Sequence, residues 1–235
     1  MPDATAPYPT RALTTSSDCA APTGPGTEHQ GTISADETWT AEAGPHIVTF
    51  DLKISKGTLT IEPCAEVRIR KGYTITIGGT IGAESASIVA HGSSTKNPDG
   101  STTTRPIVFR ADLDGTHWGS LRVFPSGALD LENAVVSDAG DPSTTQNGSA
   151  IVAFGGNAPK LTRSVRTVST LIRNPGGIGV NLQSWAAFTA DSLDLVITGA
   201  GAKPKDAGQD RYPLYVSNPA VQSSPKGSYT GNAVD

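Results

Sequence analysis

Short segments of alternating polarity, separated by very short breaks, constrain the fold of this chain more than any other feature. From Gly31 onward, segments of three to five residues alternate between apolar and polar side chains, as in Thr58-Leu59-Thr60-Ile61. A period of two is typical of half-buried β-strands. The breaks are too short for the helical crossovers of α/β proteins. The pattern therefore favours a coil of strands and turns in which each strand pairs with a strand one coil further on.

Glycine and proline support this interpretation, because 26 glycines and 17 prolines occur among the 235 residues. Glycine reaches the positive φ angles of tight turns, and proline ends helices. We therefore expect an all-β chain without long helices. The length fits one domain of this type.

Two pairs of similar segments within the sequence predict the length of one coil and the positions of equivalent strands. The segment at 56–61 resembles the segment at 71–77, an offset of about sixteen residues, close to one coil of a β-solenoid. The Leu-Asp-Leu cores at 129–131 and 193–195 predict a second pair of equivalent strands. Stretches rich in proline, glycine and polar residues are predicted loops, where the function of a solenoid is expected to lie. These stretches are 93–105, 139–149 and 199–212.

Residues 1–30 lack apolar periodicity, and we expect them to form an extended N-terminal arm that precedes a domain over 31–235. Cys19 lies in the arm and Cys64 closes a strand-like run, so we predict that a disulfide tethers the arm; the alternative is two free thiols. No Cys-x-x-Cys or paired histidine indicates a zinc site. A disulfide and a composition rich in serine and threonine favour a secreted or cell-envelope protein.

The net charge of the chain disfavours some classes of binding partner. The formal net charge is −4, and no cluster of lysine and arginine is visible. Binding to nucleic acid needs a basic face, so we expect no nucleic-acid partner, and anionic lipid is disfavoured for the same reason. No segment approaches the length of an apolar membrane span, and no cofactor is expected.

Several motifs resemble those of exported bacterial right-handed parallel β-helix proteins of the pectate-lyase-like solenoid type, in particular non-catalytic ones from social or predatory soil bacteria. The motifs are Gly57-Thr58-Leu59-Thr60-Ile61-Glu62-Pro63, Ile77-Gly78-Gly79-Thr80-Ile81-Gly82-Ala83, Arg105-Pro106-Ile107-Val108-Phe109 and Trp118-Gly119-Ser120-Leu121. The resemblance covers about residues 31–140 well and the remainder loosely. It implies a single right-handed parallel β-helix and says little about function.

Two departures from this pattern bear on the chain. Cys64 stands where the related pattern has glycine after Glu-Pro, which strengthens the disulfide prediction. The segment 212–235 resembles a strand from the middle of a β-helix, so we expect that the chain was cut from a longer solenoid.

Some proteins with the β-helix fold are polysaccharide lyases or glycoside hydrolases, so the fold analogy suggests these activities. We nevertheless predict no catalytic residue. Hydrolysis of a glycosidic bond needs two carboxylates that face the same bond. The candidate pairs, Asp112 with Asp114 and Asp191 with Asp194, fit ordinary turn carboxylates better. The other candidates, Arg68 with Arg70 and the His91-Gly92 dipeptide, lack the residues that would accompany them in a lyase or a pectinase. His29, His46 and His117 are isolated, so no metal site is predicted.

The predicted function is a non-catalytic secreted or cell-surface scaffold. Its partner is expected to be an extracellular polysaccharide or another surface protein; the oligomeric state is left open. A first alternative is a carbohydrate-binding or lyase-like module, because aromatic side chains could stack on sugar rings. A second is an ice-binding solenoid, because Thr58/Thr60 and Thr74/Thr76 could form a hydroxyl array. The candidate sugar-stacking residues are Trp39, Trp185, Tyr212 and Tyr215, together with Trp118, for which a structural role is favoured.

Overall fold

The structure, a computed structural model, describes residues 17–145, 148–157, 160–200 and 212–217, together with the backbone of 226–230. Within these residues the regular structure is β, and no α-helix occurs. The strands in chain order are β1 (Thr27–Ile33), β2 (Glu37–Trp39), β3 (His46–Ile54), β4 (Gly57–Ile61), β5 (Glu66–Ile69), β6 (Ile75–Ile77), β7 (Ala86–His91), β8 (Ser93–Lys96), β9 (Thr102–Arg105), β10 (Ile107–Ala111), β11 (Leu121–Val123), β12 (Gly127–Glu132), β13 (Ala134–Ser137), β14 (Ile151–Phe154), β15 (Thr162–Arg173), β16 (Val180–Gln183), β17 (Ala186–Phe188), β18 (Leu193–Thr198), β19 (Leu214–Val216) and β20 (Lys226–Thr230).

Eighteen strands belong to one sheet of parallel pairs, and β8 and β9 form a separate antiparallel pair. No strand of the large sheet pairs with its neighbour in the chain. The pairings instead arrange the strands in three columns. The first column runs β1, β3, β5, β10, β13, β15, β18, β20; the second runs β1, β3, β6, β11, β14, β16, β19; the third runs β2, β4, β7, β12, β15, β17.

The hydrophobic core is made of inward side chains that repeat at matched positions of the columns. In the second column, Leu52 pairs with Ile75, which pairs with Leu121, and the same position continues through Ile151 and Val180. All five are buried. Removing each of these side chains from water contributes about 1.5–3 kcal/mol. The period-two alternation therefore becomes a continuous apolar stack.

The predicted disulfide is present in the structure, with an S–S distance of 2.10 Å between Cys19 and Cys64. The arm beside it pairs with the β8–β9 hairpin, because the backbone N–H of Asp18 donates to the carbonyl of Thr104 at 3.0 Å. Cys64 has a φ of 68°, which lies in the left-handed region that glycine adopts without strain. Cys64 therefore occupies a backbone conformation that glycine adopts more readily than a residue with a side chain.

The predicted coil length of about sixteen residues is wrong. Strand β4 pairs with β7, not with β6, and β6 lies in the second column while β4 lies in the third. The two Leu-Asp-Leu segments are not equivalent either, because Leu129 belongs to the third column and Leu195 to the first. The physical reason is that every strand repeats the same alternation, so sequence similarity between strands does not identify their column.

Element boundaries differ from the sequence expectations at two places. Strand β1 begins at Thr27, within the segment assigned to the arm, of which residues 1–16 lie outside the described part. The stretch 93–105, expected as a loop, contains the β8–β9 hairpin, whose serine and threonine side chains suit strands. The expected loop at 139–149 contains no strand in its described part, and most of 199–212 lies outside the described residues.

The stacking predicts that Gly127 of β12 tolerates no side chain. A Cβ atom there would lie 2.3 Å from the carbonyl oxygen of Ile77, whereas at Gly24 the nearest atom would be 3.8 Å away. We expect Gly127→Ala to lower the free energy of unfolding by about 2 kcal/mol because neighbouring backbones must separate. Urea denaturation measures this, with Gly24→Ala as the matched control. Equal stability of the two variants would contradict the close approach of β12 to β6.

The tethered arm predicts sensitivity to reduction. The disulfide joins residues 45 positions apart, and closing such a loop stabilises the fold by up to about 4 kcal/mol in the chain-entropy model. We expect Cys19→Ser to lower the free energy of unfolding toward that of the reduced wild type. Denaturation with and without reductant checks this, and the variant itself should not respond to reductant. A wild type that is equally stable in both conditions would refute the role of the tether.

Candidate binding groove

One outward row of side chains crosses the second column. Residues that alternate with the core positions point to the opposite face of a strand, so they stack above one another in the same way. The row runs through Thr32, Lys53, Thr76, Arg122, Val152, Asn181 and Tyr215. Val152 and Asn181 are buried, so the accessible part of the row ends at Arg122 and resumes at Tyr215. It therefore presents a lysine, a threonine and an arginine at successive levels of the stack.

A groove of about 510 Å³ opens along this part of the row. Gly78 and Gly79 line the groove beside the row; Gly78 is buried and Gly79 is half-buried. Gly78 has a φ of 77°, and a Cβ atom there would lie 2.4 Å from the backbone nitrogen of Gly127, so glycine is required. The lining residues are Asp51, Leu52, Lys53, Thr76, Gly78, Gly79, Thr80, Ala83, Arg122 and Phe124.

An aromatic pair lies beside the cations of this groove. Phe124 follows β11 and stacks on Phe154, the last residue of β14, with ring centroids 5.2 Å apart and planes at 28°. Both side chains are half-buried, so part of each ring remains accessible. Accessible aromatic faces next to polar groups are suited to the apolar face of a sugar ring.

The two cations of the groove are not neutralised. Within the part of the chain that the structure describes, neither Lys53 nor Arg122 has an ion pair or a hydrogen bond from its side chain. Asp51 is the only carboxylate that lines the groove, and its Oδ1 already accepts the backbone N–H of Thr74 at 2.9 Å. Arg122 is half-buried, and each other half-buried arginine of the described ranges contacts a carboxylate.

The outer face of the first column holds a neutralised ion-pair network. Glu66 accepts from Nε of Arg68 at 2.9 Å and also from Arg110. Burial raises the pKa of the Glu66 carboxyl, but the hydrogen bonds from both arginines outweigh it and hold that pKa below its usual value. Arg70 lies 3.4 Å from Glu28 and 3.8 Å from Asp112.

A second network lies on the third column around Arg166. Its guanidinium contacts Asp130 at 2.8 Å, Glu132 at 3.1 Å and Asp191 at 2.7 Å. Hydrogen bonds from Thr189 and Arg166 lower the pKa of Asp191 to about 2, and the Asp130 carboxylate, with the other two, raises the pKa of Arg166. Acid catalysis of glycoside cleavage needs a carboxyl with a raised pKa, so these carboxylates are better suited to structural pairing.

The structure does not assemble the predicted aromatic residues into one platform. Trp39 is only 1% exposed and Trp118 is fully buried, so neither offers a free face to a sugar. Trp185 is half-buried in the turn before β17. Tyr212 is 48% exposed and stacks on the half-buried Tyr215 with centroids 6.5 Å apart. The prediction for Trp39 is corrected because its large apolar ring fills the core, whereas Tyr215 lies on the same outward row as Arg122.

The candidate carboxylate pairs do not converge. Asp112 and Asp114 follow β10 in a bend and a turn, not in an extended strand, and pair with different arginines. Asp191 contacts Arg166, whereas Asp194 lies within β18 with a φ of 53°. His91 lies 3.0 Å from Asp130 in the Arg166 network.

The threonine pairs also occupy different places. Thr58 and Thr60 lie in the third column, Thr76 lies in the second, and Thr74 is buried. They therefore do not form the flat hydroxyl array that ice binding would require.

Sequence reasoning missed three side chains of the groove, Lys53, Arg122 and Phe124, and Phe154, which stacks on Phe124 beside it. The local signal was present, because the alternation in Leu121-Arg122-Val123-Phe124 places Arg122 and Phe124 on the outer face. Lys53 precedes Arg122 by 69 positions in the chain. Nothing in the sequence indicates that the two residues lie only two strands apart in the same column.

Comparisons with protein-family models, curated proteins and solved structures find no match to this chain. The described residues contain no group of three or more metal-ligating side chains that could hold an ion. A helix long and apolar enough to cross a membrane is likewise not found in the described ranges.

Paired and unpaired arginines are expected to contribute differently to the free energy of unfolding. Arg166→Gln leaves three carboxylates near one another without their cation, so we expect it to lower the free energy of unfolding by about 2 kcal/mol. Arg122→Gln breaks no contact and is expected to change it by less than about 0.5 kcal/mol. Urea denaturation at neutral pH compares the two variants. A loss at Arg122 as large as that at Arg166 would indicate a structural role for Arg122.

Proposed function

We propose that the chain is a single right-handed parallel β-helix, exported to the cell surface or the surroundings, that acts as a non-catalytic scaffold and binds an acidic polysaccharide along its lateral groove. Three columns of parallel pairs, with no α-helix among the described residues to make the crossovers, support the β-helix. The right hand follows the strong preference of parallel crossovers. The disulfide between Cys19 and Cys64 supports export.

The observation that carries the binding proposal is the unneutralised pair Lys53 and Arg122 beside an accessible aromatic pair. The two cations stand two strands apart, about 10 Å along the stack at ordinary strand spacing. A linear polymer lying along the stack can place anionic groups against both. The planar guanidinium of Arg122 can donate two parallel hydrogen bonds to a carboxylate of the polymer. Phe124 can contact a sugar ring that lies between the two anionic groups.

A non-catalytic role is supported by the state of the carboxylates elsewhere. Glu66 and Asp191 have lowered pKa values, and Asp130 and Glu132 contact Arg166. Degradation of the bound polymer is the second candidate, favoured only by the proximity of His91 to Asp130 at 3.0 Å. The two roles differ in whether the bound polymer is cleaved.

Binding to immobilised polymers tests the proposal. We expect the protein to bind a polyuronate, to bind its fully methyl-esterified form far less, and to release no unsaturated or reducing ends from either. Phe124→Ala should weaken binding about tenfold because it removes the ring-stacking surface. Phe50→Ala is the matched control, because Phe50 is 53% exposed and packs on Tyr73 outside the groove.

Each alternative outcome has a distinct meaning. Release of unsaturated uronides would replace the scaffold with a lyase. Binding that is equal for the charged and esterified polymers would remove the role of Lys53 and Arg122. An absence of binding to every glycan tested would overturn the polysaccharide proposal.

A further inference from the structure

The N-terminal end of the stack is closed by three aromatic rings. Strands β1 and β2 are the first of their columns, and no described strand pairs with their other edge. Trp39 of β2 stacks on His46 of β3 with centroids 4.9 Å apart and planes at 8°. His29 of β1 lies over Trp39 at 4.1 Å. We call these three rings the aromatic cap. The cap closes one end of the apolar stack and attaches β1 to it.

With both imidazoles neutral, the hydrogen bonds of the cap fit one arrangement of protons. The carbonyl oxygen of Thr40 can only accept, so Nε2 of His46, 2.9 Å away, carries a proton. Because His46 is neutral in this arrangement, its Nδ1 has a lone pair, which accepts from Nε2 of His29 at 3.0 Å. Nδ1 of His29 is then unprotonated and lies 3.7 Å from Oε1 of Glu37. Oε1 of Glu37 in turn accepts from the indole N–H of Trp39 at 2.6 Å.

The cap can accept one proton without losing this arrangement, but not two. A proton on Nδ1 of His29 faces the Glu37 carboxylate and leaves the bond between the histidines in place. A proton on Nδ1 of His46 opposes the N–H of His29 across 3.0 Å and places two cations in contact. The second proton therefore breaks the hydrogen bond between the two histidines, and the backbone pairing of β1 with β3 must then hold two cations in contact.

The charged groups around the cap do not offset this second charge. Glu37 from β2 is the carboxylate that faces the rings. Glu28 from β1 contacts Arg70, which follows β5, at 3.4 Å. Glu42, in the loop before β3, is exposed and has no ion pair among the described side chains. One carboxylate thus serves two imidazoles.

Burial opposes protonation of both rings. Burial and the neighbouring His46 lower the pKa of His29 to about 4, and burial lowers the pKa of His46. Once the cap opens, both rings meet water and regain an ordinary pKa near 6.5. The open state therefore binds more protons than the closed state, so opening becomes more favourable as pH falls through this window.

We propose that the aromatic cap is an acid-operated latch: protonation of His29 and His46 together releases β1 from β3 and opens the N-terminal end of the stack while the remaining coils stay folded. The release uncovers Trp39 and the apolar positions beneath it. The latch is independent of the lateral groove, because its residues do not line that groove.

Hydrogen exchange followed by mass spectrometry between pH 7 and pH 5 tests the latch, with rates corrected for the intrinsic effect of pH. We expect the opening equilibrium for Thr27–Ile33 to rise by up to about tenfold per pH unit for each proton taken up. Val180–Gln183 of β16 should remain protected over the same range. Above pH 5 the carboxyls with lowered pKa values, Glu66 and Asp191, stay ionised and do not contribute.

Three variants separate the latch from general acid sensitivity. His46→Gln keeps one donor and one acceptor but cannot be charged, so β1 should stay protected at pH 5. His29→Gln should behave in the same way, which keeps the test decisive if one variant folds poorly. The matched control is His91→Gln, which changes a histidine outside the cap and should open as the wild type does.

The result that would overturn the proposal is equally definite. Unchanged protection of β1 in the wild type at pH 5 would refute it. Equal acid opening of the wild type and both cap variants would also refute it, because the opening would then not depend on these histidines. Simultaneous loss of protection in β1 and β16 would show global unfolding instead of a latch.

Discussion

Parallel backbone pairing between strands that are not consecutive in the chain is the interaction on which the rest of this structure depends. Strands inside the columns pair with one strand that comes earlier in the chain and one that comes later, so side chains at matched positions stack directly. Inward positions such as Leu52, Ile75 and Leu121 merge into one core, and outward positions such as Lys53, Thr76 and Arg122 form one row. The same register that builds the core therefore also builds the surface.

The three outer faces use this register in different ways. On the first and third columns, stacked arginines are matched by stacked carboxylates, as Arg110 and Arg68 are by Glu66 and Arg166 is by Asp130. Such networks hold the charged side chains in fixed positions and leave few of their hydrogen-bonding groups free to bind a ligand. The second column carries cations without that match, next to Phe124 and Phe154. Unpaired surface charges add little to stability, and these two cations are the basis of the binding proposal.

The ends of such a stack pose a separate problem, since the last coil exposes its apolar layer and its unpaired strand edge. At the N-terminal end the aromatic cap covers the apolar layer, and the disulfide from Cys19 to Cys64 holds the arm nearby. Within the cap, Trp39 and His46 are buried and His29 is half-buried. Because the cap contains two histidines, its closure depends on how many protons these side chains carry.

The amino-acid sequence by itself indicated the class of local structure, the strand at Thr58–Ile61 and the pairing of the cysteines. These follow from local alternation, turn residues and the presence of only two thiols, all of which are visible without knowing which strands meet. The coil length, the columns and the groove were decided only by tertiary structure. Lys53 and Arg122 become neighbours of Thr76 through long-range pairing, and Trp39 is removed from the surface by the same packing. The physical reason is that a period of two specifies which face a side chain takes, whereas the lengths of the intervening loops decide which strand lies beside it.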